Sequence, residues 1–149
     1  MFEKKIALFH EEASTRDEAL KKLADEFVKA GVVRDDFYEG ILKREANFPT
    51  GLITDTIGVA IPHTDSEYII ENQLGFMSLK EPVEFRFMAD PDQTVQVKLM
   101  IMMALQSHDQ VDMLCKLMDI FSDPELLNKL SEVNDFESFK EAMKDTGLV

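Results

Sequence analysis

Apolar positions recur along this chain with two different periods, and the switches between them predict the order of its elements. Lys5 to Phe9 is a short apolar run that reads as a first strand. Thr15, Arg16, Asp17 and Glu18 follow in a capping-box pattern, where a hydroxyl and a carboxylate satisfy the free N–H groups of a new helix. Leu20, Leu23, Ala24, Phe27 and Val28 then repeat at helical spacing, and Gly31 stands where that helix should stop. A second helix is predicted from about Asp35, with Phe37, Ile41 and Leu42 on its inner face, ending before Pro49.

From Ile57 the period becomes that of strands. Gly58 to Ile61 is a short apolar run closed by Pro62, and Leu74 to Leu79 is another. Val83, Phe85 and Phe87 alternate with Glu84 and Arg86, as in a half-exposed strand. Val95, Val97 and Leu99 alternate too, and Met100 to Leu105 is uniformly apolar, as in a central strand buried on both faces. Three helices should finish the chain. Val111, Leu114, Cys115, Met118 and Phe121 stripe the first, Leu126, Leu127 and Leu130 the second, and Phe136, Phe139 and Met143 the third. Asp123-Pro124 reads as a cap with proline at the first helical position. The pattern predicts an α/β fold, a mixed sheet covered by helices on both faces. With 149 residues and no repeat or flexible linker, it predicts a single domain over 1–149.

Composition narrows the function. Hydrophobic residues make up 45% of the chain, enough for a packed core. No apolar run approaches the about 20 residues that cross a bilayer. Nor does an apolar stretch with a cleavage site follow Met1-Phe2-Glu3-Lys4-Lys5, so a cytoplasmic location is expected, with no membrane insertion. Sixteen basic residues stand against 29 acidic ones, a net charge of −13, which argues against nucleic-acid binding. Cys115 is the one cysteine, so neither an internal disulfide nor a paired-cysteine site is available; with Leu114 and Leu117 beside it, it reads as a buried, inert thiol.

Three histidines remain as carriers of chemistry. His10, beside Glu11 and Glu12, reads as a solvated loop residue. His63 should be delivered to the C-terminal end of a strand by the extended backbone that Pro62 imposes, and strand ends are where ligand sites gather in α/β sheets. A hydrogen-bonded structural histidine is the competing reading. His108 falls in Ser107-His108-Asp109-Gln110, another capping-box pattern, with Ser107 as cap and His108 as first helical residue. A helix start there would attract a phosphate. Arg44 closes the second predicted helix, where it could clamp phosphate oxygens in two places or simply offset the helix dipole.

Arg44-Glu45, Phe48-Pro49-Thr50-Gly51-Leu52 and Val59-Ala60-Ile61-Pro62-His63-Thr64-Asp65 together resemble the enzyme IIA domains of the bacterial phosphoenolpyruvate:sugar phosphotransferase system, in the fructose/mannitol superfamily. The resemblance covers nearly the whole chain. The Phe-Pro-Thr-Gly-Leu wording and the Pro-His-Thr-Asp continuation look most like the galactitol-type branch. Mannitol-type and nitrogen-regulatory members more usually have glycine after the active histidine, where this chain has Thr64.

The resemblance implies a phosphotransferase working through a phosphohistidine. HPr, charged by enzyme I, would hand its phosphoryl group to Nε2 of His63. His63 would pass it to a cysteine of the IIB partner, and the IIC permease would couple transfer to sugar entry. His108 matches the second active-site histidine and Arg44 the site arginine. No cofactor or metal is required. Both partners would need His63 exposed in a shallow depression, on a face built around Thr50, His63 and His108, with Phe48 and Leu52 as contacts. Two other readings are open: a regulatory phosphotransfer domain, and a zinc-binding module using His63, His108 and Asp65 or Asp109.

Overall fold

The starts predicted at Thr15 and Asp123 and the stop predicted at Gly31 have physical counterparts in the computed structural model, which describes all 149 residues. Strand β1 (Ala7–Glu11) precedes helix α1 (Arg16–Lys29). Thr15 Oγ1 accepts the Glu18 N–H at 3.2 Å, and the Glu18 carboxylate accepts the N–H of Ser14 at 3.2 Å. The helix ends at Gly31, whose φ of 75° lies in the left-handed region that glycine enters without strain. Helix α2 (Phe37–Asn47) leads into a hairpin of β2 (Gly51–Ile53) and β3 (Gly58–Ala60). Long strands β4 (Gln73–Arg86) and β5 (Thr94–Ala104) pair antiparallel, and helices α3 (Ser107–Phe121), α4 (Pro124–Glu132) and α5 (Phe136–Ala142) follow. The Asp123 side chain caps α4 ahead of Pro124 as expected, accepting the N–H groups of Glu125 and Leu126.

The sheet order is β1-β4-β5-β3-β2, with β1 parallel to β4 and β3 parallel to β5. It is the mixed sheet that the pattern predicts. One face packs α1 and α2 on Met77, Leu79, Val83, Phe85, Met100 and Met102. The other packs α3, α4 and α5 on Leu74, Phe76, Leu99, Ile101 and Met103. There the Phe139 ring lies 4.6 Å from that of Phe76 and 5.0 Å from that of Phe2, tying α5 and the N-terminus to the sheet.

Four readings change. The two runs predicted from Leu74 and from Val83 belong to one strand, Gln73–Arg86, with a bulge where β4 skips from Ser78 to Val83 between partners Leu99 and Val97; Phe87 lies just beyond it. Lys98 is the matching extra residue in β5, and it puts Leu99 on the face opposite Val97, where strict alternation had placed them together. His10 lies in β1, at a φ of 50°, though it is exposed as expected. On α3 the buried residues are Met113, Leu117, Ile120 and Phe121; Val111 is 67% exposed, Met118 is 44% exposed, and Cys115 is an exposed thiol. Apolar side chains occupy two adjacent faces of this helix, so periodicity could not tell which one the sheet would cover.

Candidate functional site

Two backbone devices bring His63 to its place. Strand β3 runs beside β5, and the Met103 N–H donates to the Pro62 carbonyl at 2.9 Å, so the extended chain continues through proline to a parallel bridge between His63 and Met103. His63 thereby stands at the C-terminal edge of the sheet. Its Nδ1 lies 3.0 Å from the carbonyl oxygen of Ile61. A carbonyl only accepts, so Nδ1 carries the proton and Nε2 keeps its lone pair. Burial, and then the nearby Arg44 charge, hold the imidazole below its usual pKa, against the opposing pull of the Ile61 hydrogen bond and Asp65. The ring is therefore neutral at pH 7 and nucleophilic at Nε2. It is also only 7% exposed, which corrects the expectation of an open depression: the imidazole lies just beneath the surface.

Arg44 reaches this point from the last turn of α2. One turn earlier, Gly40 lets the helix settle directly on the chain after His63. A Cβ there would stand 2.8 Å from Thr64 Oγ1 and 2.7 Å from the Tyr68 ring. The guanidinium stacks on Phe48, its Cζ 4.6 Å from the ring centroid, while Nη1 meets Asp65 Oδ1 at 3.3 Å. Its Nε is buried and makes no hydrogen bond. A buried donor without an acceptor is costly, and an acceptor that reached it would remove that cost.

His108 is placed differently. It lies in the first turn of α3, but its side chain is 81% exposed and meets only Asp109, at 3.4 Å. It makes no hydrogen bond to His63. The helix start itself is anchored to the His63 segment. Gln110 Nε2 donates to the Thr64 carbonyl at 2.9 Å, and the Ser107 N–H donates to Ser66 Oγ at 3.2 Å. The two serine hydroxyls also touch. Ser107 is thus not the cap expected of it: Gln106 holds that position and makes no side-chain cap bond. Its hydroxyl instead fixes the loop that carries Asp65. The zinc alternative does not assemble, because no trio of His, Cys, Asp or Glu side chains converges anywhere in the molecule.

Sequence reasoning gave Glu45 no role beyond the motif and placed Thr50 only on the partner face. Thr50 is 1% exposed and so lies under the expected partner face, whereas Phe48 is 61% exposed on it. Glu45 is also 1% exposed and grips Thr50 through both carboxylate oxygens, each bond 2.8 Å. A signal was present. Glu45 continues the spacing of four set by Phe37 and Ile41, so it falls on the inward stripe of α2, where a carboxylate is out of place.

The comparisons agree with this architecture. Residues 1–146 match the family described as phosphoenolpyruvate-dependent sugar phosphotransferase system, EIIA 2. The galactitol-specific EIIA component of Escherichia coli K12 is 30% identical over 95 residues, 64% of this chain, which spans 63% of that relative's length. The transcriptional regulator ManR of Bacillus subtilis is 24% identical over 137 residues, 90% of this chain but 20% of that protein. Among solved structures, the Escherichia coli complex of mannitol enzyme IIA with phosphorylated enzyme IIB superposes with a TM-score of 0.76 at 21% identity, covering 93% of this chain and 94% of that one. With the family matched along nearly its whole length, this chain belongs to the type 2 EIIA family of the phosphoenolpyruvate-dependent sugar phosphotransferase system.

Proposed function

We propose that the whole chain acts as one phosphocarrier unit in sugar uptake, with His63 Nε2 as the acceptor. A P–N bond forms at Nε2 as the bond from phosphorus to the donor histidine of HPr breaks. In the second transfer, the thiolate of a IIB cysteine attacks phosphorus and Nε2 leaves with its lone pair restored. The observation that carries this reading is the Nδ1–H···O bond to Ile61, which leaves Nε2 free beside the unsatisfied Arg44 donor. Phosphoryl transfer depends on in-line placement and on neutralising charge, and the Arg44 guanidinium near His63 supports the second. The exposed helix start carrying His108 would meet the transferring oxygens once a partner docks. The galactitol-specific relative and the structure of a IIA–IIB pair support a IIB partner and a galactitol-like sugar, with IIC as the indirect membrane partner. The setting is cytoplasmic, and no helix is long and apolar enough to cross a membrane.

A second reading has its own support. The likeness to part of a transcriptional regulator favours a role in which the phosphorylation state of His63 signals to a protein. Both readings need the same acceptor. Incubation with phosphoenolpyruvate, enzyme I and HPr, followed by intact-mass measurement, should add one acid-labile phosphoryl group, and His63→Ala should abolish the gain. Normal labelling of that variant defeats both readings. Transfer onward to a IIB cysteine separates transport from regulation.

A further inference from the structure

Glu45 is a buried carboxylate with no cation in contact. None of the molecule's ion pairs includes it, and burial raises its pKa against the opposing effect of its two bonds to Thr50. Holding a charge there is costly, and an apolar residue would pack the α2 stripe without that cost. The bonds lead to the site by two routes. Through the backbone, the Thr50 carbonyl accepts the Ile61 N–H at 3.4 Å, and the Ile61 carbonyl fixes Nδ1 of His63 at 3.0 Å. Through the loop, the grip on Thr50 closes residues 45–50 into a turn that presents Phe48 as the platform under Arg44.

We propose that Glu45 is a positioning residue, whose carboxylate sets both the tautomer of His63 and the stacking platform of Arg44 by holding Thr50. Its effect on transfer rests on the phosphocarrier reading; its effect on the imidazole does not. The two are therefore measured separately. The first measurement is the ring 15N spectrum of His63 in the unphosphorylated protein, and the second is single-turnover transfer from phospho-HPr. Wild type and Thr50→Ser, which keeps both bonds, should show one tautomer with the proton on Nδ1. Glu45→Ala should show a mixture of tautomers. Its maximal transfer rate should fall about a hundredfold, the scale of a misplacement of about 1 Å, with the half-saturating donor concentration unchanged. Thr50→Val removes only the hydroxyl bond and should lose roughly tenfold. A fully single tautomer and a wild-type rate in folded Glu45→Ala overturn the proposal; if that variant does not fold, the same result in Thr50→Val overturns it. Wild type that takes no phosphoryl group would sink the carrier reading alone, and the ring spectra would still decide the role of Glu45.

Discussion

Replacing Arg44 with lysine keeps the charge and discards the planar fork, which makes it a sharp test of how this site works. In the resting protein the arginine contributes little to stability. Its stack on Phe48 is worth about 0.5–1 kcal/mol at an exposed site. Its single bond to Asp65, 3.3 Å long with the carboxylate 67% exposed, adds about 0.2–1 kcal/mol, part of which a lysine can recover. During transfer the balance differs. A guanidinium can place two N–H groups on phosphoryl oxygens, Nε among them, and lysine forfeits at least one such bond. A hydrogen bond to a charged group is worth about 1.5–3 kcal/mol, so the transfer rate should fall by roughly 10- to 150-fold. The thermal midpoint should move by only a few degrees. Quenched-flow transfer from phospho-HPr, read by intact mass, gives the first number and calorimetry the second. A lysine variant that transfers at the wild-type rate, or that loses several kcal/mol of stability, would refute this division between resting and reacting roles.

Three further outcomes follow from the geometry. Because the folded His63 has its pKa below the unfolded value of about 6.5, the unfolded chain binds more protons; its contribution to stability should be complete above that pH and should be lost as pH falls below it. Urea midpoints of wild type and His63→Asn between pH 8 and 5 should converge or cross in that sense, and a difference independent of pH contradicts the buried neutral ring. His108→Ala should leave stability unchanged, since its side chain is 81% exposed, and should still accept a phosphoryl group while donating poorly to a IIB cysteine; equal forward and onward rates speak against a helper role. Cys115 should react with a thiol reagent in the native protein at the rate of an exposed cysteine without loss of the fold, and protection until unfolding would contradict its placement.

Much of the fold follows from local rules that the sequence carries openly. The cap at Thr15, the left-handed stop at Gly31 and the Asp123-Pro124 start depend on residues within a few positions of one another, so their patterns predict them. The uniformly apolar end of β5 likewise announces a strand covered on both sides. His63 and Arg44 could be singled out as candidates because each sits in a short contiguous motif, and because Pro62 constrains the backbone just before the histidine.

What needed the tertiary structure is everything decided by a surface from elsewhere in the chain. Which of two apolar faces of α3 is buried depends on the sheet beneath it, and so does the exposure of Cys115. The switch of faces at Lys98 depends on four extra residues in β4, a strand that adds no signal to the sequence of β5. The protonated nitrogen of His63, the orphaned Nε of Arg44 and the grip of Glu45 on Thr50 are distances between groups, and distances exist only once the chain has closed. The sequence determined which residues could do the chemistry, because reactivity belongs to side chains. The fold alone decided how they are disposed: His63 neutral beneath the surface beside a free guanidinium donor, and His108 outside on a helix start. Burial and direction are properties of packing between elements that no local pattern records.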